Sequence, residues 1–279
     1  MDRHALFEQL SGLYTLDNLN RISSWIISAF KSGRSDLLAD LAAYVPQAAS
    51  SSGTDQKRFT RLMMCYHPDR HASIMQSIRN AYDRNQTDLL RGHLHIASAL
   101  HFIRARASES HGQRTPPTPP KEPSAPRPMH PVDGKSRNFV SALKQKEYGN
   151  LNVVYHDVDL AGMEGDLELS GYGIADLTGL ELCTNLTGLD VSGNCIHDIW
   201  ALSALTLIEE LDLSRNRIRT IQALESLPYL RIVDLSDNEI EDVRPLYDLE
   251  HLEFVNLISN PIHEEALRPL RRRGVVVVI

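Results

Sequence analysis

His67, Asp69 and His71 crowd one short stretch of this chain, and His93, His95 and His101 form a second cluster. Imidazole and carboxylate groups that close together could hold a metal ion or move protons. Neither triplet has the ligand spacing of a known zinc pattern, and histidines on exposed helices and loops are far commoner than ligands. Cys65, Cys183 and Cys195 stand apart, with no CxxC pair. No glycine-rich phosphate loop, GxSxG elbow or HExxH occurs, so hydrolysis and phosphoryl transfer have no candidate residues. The expectation is a chain that is not an enzyme and needs neither metal nor cofactor. The remaining chemistry is recognition. Two places offer it: the polar turn His67-Pro68-Asp69, and a series of acidic residues, Glu168, Asp190, Asp212 and Asp234, spaced 22 apart.

A repeat positions the acidic series. From residue 165 the segments DLELSGYGI (166–174), GLDVSGNCI (188–196), ELDLSRNRI (210–218), IVDLSDNEI (232–240) and FVNLISNPI (254–262) fall in register at a 22-residue step, and internal repeats decide architecture before any local signal does. Leu167, Leu189, Leu211, Val233 and Val255 share one apolar column; Leu169, Val191, Leu213, Leu235 and Leu257 share a second; Ile174, Ile196, Ile218, Ile240 and Ile262 share a third. Asn194, Asn216, Asn238 and Asn260 form a polar fourth. The LxL alternation makes a short strand with one face buried, the third column returns the chain beneath it, and stacked coils cover one another's leucines. Val277 and Ile279 continue the first two columns, which predicts a sixth strand in GVVVVI, an apolar edge left for the arginines at 271–273 or a partner to guard. Cys183 shares a core column with Leu205, Leu227 and Leu249 and reads as a buried hydrophobe. The pattern resembles the 22-residue class of leucine-rich repeats. That resemblance implies an α/β solenoid with a curved parallel β-sheet, asparagine amides that satisfy backbone groups of adjacent coils, and an atypical first coil, where Tyr172 stands in the asparagine column.

Between the two core columns of each strand lie Glu168, Asp190, Asp212, Asp234 and Asn256, expected on the open concave face. Neighbouring strands are ~4.8 Å apart, so the ladder stacks like charges that a basic protein partner would relieve. In this repeat family LDLSxN is also common for reasons unrelated to any ligand. Beside the ladder, Ile232 and Phe254 take strand positions held by Asp166, Gly188 and Glu210 in earlier coils. An apolar pair next to acid is how a binding hot spot is built. The expected partner-binding residues are therefore Asp190, Glu210, Asp212, Ile232, Asp234, Phe254 and Asn256.

The N-terminal part reads as all helix. Leu6, Phe7, Leu10 and Leu13 make one stripe at helical spacing, Leu19, Ile22, Trp25, Ile26 and Phe30 a second, and Leu37, Leu38, Leu41 and Tyr44 a third. Pro46 and the SSSG at 50–53 close the third helix, and Thr54 or Asp55 caps the next. Phe59, Leu62 and Tyr66 face one way, as do Met75, Ile78 and Tyr82. Pro68 blocks helix continuation and leaves His67 extended, so two antiparallel helices are expected to pack with the turn exposed where they join. Phe59, Leu62 and Tyr66 before the HPD tripeptide, and Met75, Ile78, Ala81 and Tyr82 after it, resemble a J-domain, the module by which co-chaperones activate the 70-kDa heat-shock chaperone. The resemblance implies a J-like hairpin over about 54–90, in which His67, Pro68 and Asp69 contact the chaperone's ATPase domain while Lys57, Arg58, Arg61 and Arg70 steer it by charge.

At 279 residues the chain has room for two domains: an all-α domain at 1–104 and a repeat domain at 138–279, with a cap at 138–164, a helix then an irregular strand, ahead of repeats at 165–279. Between them, 105–137 reads as a linker, since 116–131 holds 8 of the 14 prolines and favours a semi-rigid spacer. Residues 1–104 carry 12 Lys+Arg against 9 Asp+Glu and 105–137 carry 6 against 3, whereas 138–279 carry 11 against 24. The acidic half should repel nucleic acid and anionic lipid and attract basic proteins. No apolar run approaches the ~20 residues a membrane helix needs, and the start does not read as a secretory signal. Unpaired cysteines suit a reducing cytosol, so a cytoplasmic location is expected. Two functions remain open: an adaptor that brings a heat-shock chaperone to a partner held by the repeats, or a pure repeat scaffold whose N-terminal helices are structural.

Overall fold

The structure, a computed structural model, describes residues 2–45, 55–109, 137–149 and 154–279. The expected helix stop at Pro46 and 50–53, the Thr54 cap, the proline-rich part of the linker at 110–136 and residues 150–153 of the cap lie outside the described residues. The chain divides into two compact units, Met1–Pro123 and Ser124–Ile279.

The first unit is helical. Its elements are α1 (Arg3–Leu13), α2 (Leu16–Lys31), α3 (Ser35–Ala42), α4 (Asp55–Tyr66), α5 (His71–Asp83), α6 (Thr87–Gly92) and α7 (His95–Glu109). Helix α7 carries regular structure past residue 104, into the stretch expected to be linker. Short polar side chains start the first two helices: Asp2 accepts from the Ala5 amide at 2.8 Å and Thr15 from the Asn18 amide at 3.2 Å. The apolar stripes turn inward as their spacing predicts, burying Leu6 and Leu10, Leu19, Ile22 and Ile26, Leu38 and Leu41, and Phe59, Leu62 and Tyr66. Helix α4 packs chiefly on α2, where the Phe30 and Phe59 rings stack at 4.1 Å, and α5 packs on α1, where Phe7 meets Tyr82 at 4.6 Å. The buried face of α5 is Ile74, Ile78 and Ala81, with Met75 and Tyr82 on its margin, because α1 rather than α4 is its main support.

The second unit is a stack of coils. After the short strand β1 (Arg137–Asn138), helix α8 (Phe139–Tyr148) buries Phe139, Ala142 and Leu143 against the first coil's end of the core and stops at Gly149, whose φ of 63° is the left-handed geometry of a helix C-terminus. A second short helix, α9 (Asp157–Ala161), takes the place of the irregular strand expected in the cap. Then come β2 (Glu164–Glu168), β3 (Ile174–Asp176), β4 (Asn185–Asp190), β5 (Glu210–Asp212), β6 (Ile232–Asp234), β7 (Phe254–Asn256), α10 (Arg268–Arg272) and β8 (Val276–Val278). Strands β2, β4, β5, β6, β7 and β8 form one parallel sheet in that order, while β3 pairs with β1. Register follows the 22-residue step, with Leu189 opposite Leu211, Leu211 opposite Val233 and Val233 opposite Val255. The predicted sixth strand forms, with Val255 opposite Val277.

The asparagine column shows why one coil needs the next. Asn216 Nδ2 donates to the Val191 carbonyl of the preceding coil at 3.1 Å and to its own Leu213 carbonyl at 3.0 Å, while its Oδ1 accepts from the Ile196 amide at 3.1 Å. Asn194 and Asn238 repeat the arrangement. Buried backbone groups without such partners would each cost about 1–3 kcal/mol. Arg215, Asp237 and Ser259 themselves take positive φ of 55°, 53° and 60°, at the place where Gly193 serves an earlier coil. Of the arginines at 271–273 expected to guard this edge, two make bonds to earlier parts of the chain. Arg273 reaches back to the carbonyls of Tyr247 and Leu249 and so ties the last coil to its neighbour, while Arg271 pairs with Glu264 within that coil.

Candidate functional site

Pro68 does stop α4, and His67 is extended at φ −69°, ψ 137°. The turn nevertheless fails to project. The whole connection is one 3-10 turn, Pro68–Arg70, seated against α2, and it leaves His67 only 9% exposed. The His67 Nδ1 accepts from the Asp69 amide at 3.3 Å and lies 3.4 Å from the Asp69 carboxylate, so this nitrogen is engaged within the turn. Asp69 is exposed and Pro68 half-buried. Of the basic residues expected to steer a chaperone, Lys57, Arg58 and Arg61 are half-buried, with Arg58 held by Asp55 at 2.8 Å, and Arg70 lines an open cavity. Next to this turn the two histidine clusters resolve into structure. The Tyr66 hydroxyl lies 2.8 Å from His95 Nδ1, the Tyr14 hydroxyl 3.4 Å from His95 Nε2, and Tyr14 donates to the His93 carbonyl at 3.2 Å. Burial, with the neighbouring His93, pushes the His95 imidazole down to about 4, so it is neutral near pH 7. Among the described residues no cluster of His, Cys, Asp and Glu is arranged to hold a metal ion.

On the strand face the ladder forms in register, Asp190 opposite Asp212 opposite Asp234 opposite Asn256. Its members are less open than expected. Glu168 and Glu210 are exposed and Asp212 and Ile232 half-buried, but Asp190, Asp234 and Asn256 are buried and Phe254 is fully so. The reason for the aspartates is local. Each carboxylate bends back to accept from the amide two residues on, Asp190 from Ser192, Asp212 from Ser214 and Asp234 from Ser236, all at 2.9 Å. This side-chain turn ends each strand, which is why LDLSxN recurs. Asn256 closes the ladder by donating to Asp234 Oδ2 at 2.7 Å. Phe254 is flanked on one side by Ile232 and on the other by Val276 of the added sixth strand, so it is not an edge side chain. Burial raises the Asp234 carboxyl to about 6, and burial together with the Asp234 and Asp190 charges raises Asp212 well above its ordinary value.

Comparison with known proteins agrees with this architecture. Residues 206–247 match a family model described as leucine-rich repeats in two copies, and residues 182–199 match a model of a single leucine-rich repeat. The C-terminal half is built of leucine-rich repeats. Among solved structures the chain is similar to an internalin from Listeria monocytogenes, at 28% identity over 50% of this chain and 41% of that one, with a TM-score of 0.44. It is similar as well to internalin C2 from the same organism, at 23% identity over 50% and 72% with a TM-score of 0.37, and to a leucine-rich-repeat protein of Leptospira interrogans, at 18% identity over 44% and 38% with a TM-score of 0.37. The chain thus spans less than half the length of the first of these. No curated protein matches it.

Within the leucine-rich repeats, the open surface lies beside the predicted ladder rather than on it. Leu207, Tyr229 and His251 occupy one repeat position in three successive coils, in the loops that enter β5, β6 and β7. Leu207 is 43% and Tyr229 51% exposed, and the Tyr229 and His251 rings stack at 5.9 Å, 20° from parallel. Two residues further on, Arg231 bridges Glu209 at 3.3 Å and Glu253 at 3.0 Å across the same three coils. On the descending side Trp200 is 68% exposed over an open groove of about 470 Å³ lined by Asp176, Glu181 and Asp198. The signal for this rim was present in the repeat itself: large side chains recurring in a column that is not a core column.

Proposed function

We propose that the protein is a non-enzymatic protein-binding scaffold, and that the acidic strand edge of the repeats, Glu210, Asp212 and Ile232 with the rim row Leu207, Tyr229 and His251, takes a basic protein partner. The observation that carries this reading is the rim row. Three large side chains stand exposed at equivalent places on a rigid stack, and exposed aromatic and aliphatic groups beside charge are where interfaces concentrate their binding energy. The predicted face residues Asp190, Asp234, Phe254 and Asn256 shape and support this edge from beneath. Among the described residues Cys65, Cys183 and Cys195 form no disulfide, which favours a reducing compartment, and the cytoplasm is the proposed location.

A chaperone-recruiting role for His67, Pro68 and Asp69 has less support, because the first residue of the motif is buried and its Nδ1 bonds within the turn. The test has two arms. Quantitative affinity capture with the full chain and with a Leu207→Asp, Tyr229→Asp variant should show the proteins retained by the parent lost by the variant; an unchanged set removes the rim from the proposal. Addition of the chain to a 70-kDa heat-shock chaperone with ATP should leave hydrolysis unaccelerated; acceleration abolished by His67→Gln would reinstate the co-chaperone reading.

A further inference from the structure

A cavity of about 320 Å³ opens in the helical unit beside the His67 turn, lined by apolar Val45, Met64, Ile74 and Leu89 and by the polar groups of Tyr14, Cys65, Arg70, Asp88, His93 and His95. Its size is in the range of small-molecule sites. The cation in its wall is Arg70. The Arg70 Nε is buried with no hydrogen-bond partner, and Nη1 finds only the Met64 thioether, at 4.0 Å. No ion pair holds Arg70 among the described residues, and the lining carboxylate, Asp88, projects into solvent and pairs with Arg91 at 3.2 Å. The other polar groups are already satisfied or uncharged: one tautomer of His95 accepts from Tyr66 and donates to Tyr14, which donates in turn to the His93 carbonyl. A guanidinium facing an apolar chamber with an unmet donor is a strong site for a bidentate oxyanion.

We propose that this cavity binds a small organic oxyanion, a carboxylate or phosphate on a short apolar body, with Arg70 as its counter-ion. The headgroup sits on the Arg70 fork, and the body lies against Met64, Ile74 and Leu89. Selection by charge rests on Arg70 alone, since His95 carries no proton to spare near pH 7.

Calorimetric titration of the full chain with octanoate, octyl phosphate and octanol tests this. At least one anion should bind about 10- to 100-fold more tightly than octanol, the worth of one charge-assisted hydrogen-bonded pair, and the tighter of the two identifies the headgroup. Arg70→Gln should erase that preference and Arg70→Lys retain part of it. Leu89→Trp, an exposed change at the mouth, should weaken both anions without touching the fold, and it decides the matter if the Arg70 variants misfold. Equal binding of octanol and both anions, no binding of any probe, or an Arg70→Gln variant that folds and keeps its preference would overturn the proposal.

Discussion

The two units bury ionisable groups of opposite kind. In the helical unit burial presses a base, His95, towards its neutral form, whereas in the repeats burial raises acids, Asp234 and Asp212, towards theirs. A low dielectric disfavours charge whatever its sign, so acid should weaken one unit and strengthen the other. Their wiring differs as well. Tyr14 reaches His93 and His95 across roughly eighty residues of chain, while the asparagine bonds of the repeats join residues one coil apart. The first arrangement makes distant segments depend on one another; the second makes each coil depend on its neighbours.

The largest test of that contrast is Leu213→Ala in the repeat core. It should cost roughly 3–5 kcal/mol, as a fully buried leucine does. Hydrogen exchange followed by mass spectrometry should place the loss in the coils around β5 and leave the α1–α5 amides protected; equal loss across the chain would break the comparison. Acidification comes next. Between pH 6.5 and about 4 the unfolded chain takes up a proton at His95 that the folded helical unit refuses, so that unit should lose up to about 3 kcal/mol. Over the same fall in pH the folded repeats protonate Asp234 and Asp212 before the unfolded chain does, and should gain stability. Urea unfolding read by Trp25 in a Trp200→Phe background follows the helices, and pulsed exchange of strand peptides follows the repeats. Slopes of the same sign would contradict the assignment. The smallest effect is Ser259→Gly, which relieves a left-handed backbone at φ 60° and should gain about 0.5 kcal/mol net of glycine's entropy, measured as an upward shift in Tm.

The 22-residue columns were enough to place the strands, down to Val255 opposite Val277, because a solenoid turns sequence period directly into register. They could not say which strand-face residues stay open. Alternation tells which side of a strand a side chain leaves from, but Asp190 and Asp234 are drawn down by hydrogen bonds to Ser192 and Ser236, and Phe254 is enclosed by flanking strands. Among the helices, Pro68 was legible as a stop because its ring constrains the residue before it. Whether the turn after it stands proud was set by α2, an element far away in sequence. The Tyr14–His95–Tyr66 network left no trace in any local pattern, since its members are 29 and 81 residues apart.

The shared asparagine bonds restrict how this molecule can change length. Removing residues 210–231 would bring Leu189 opposite Val233 and hand Asn238 to the Val191 carbonyl and the Ile196 amide that Asn216 now serves. A cut that is not a whole number of 22-residue coils would strand both groups in the interior. Growth and shrinkage of this half are therefore quantised in whole coils.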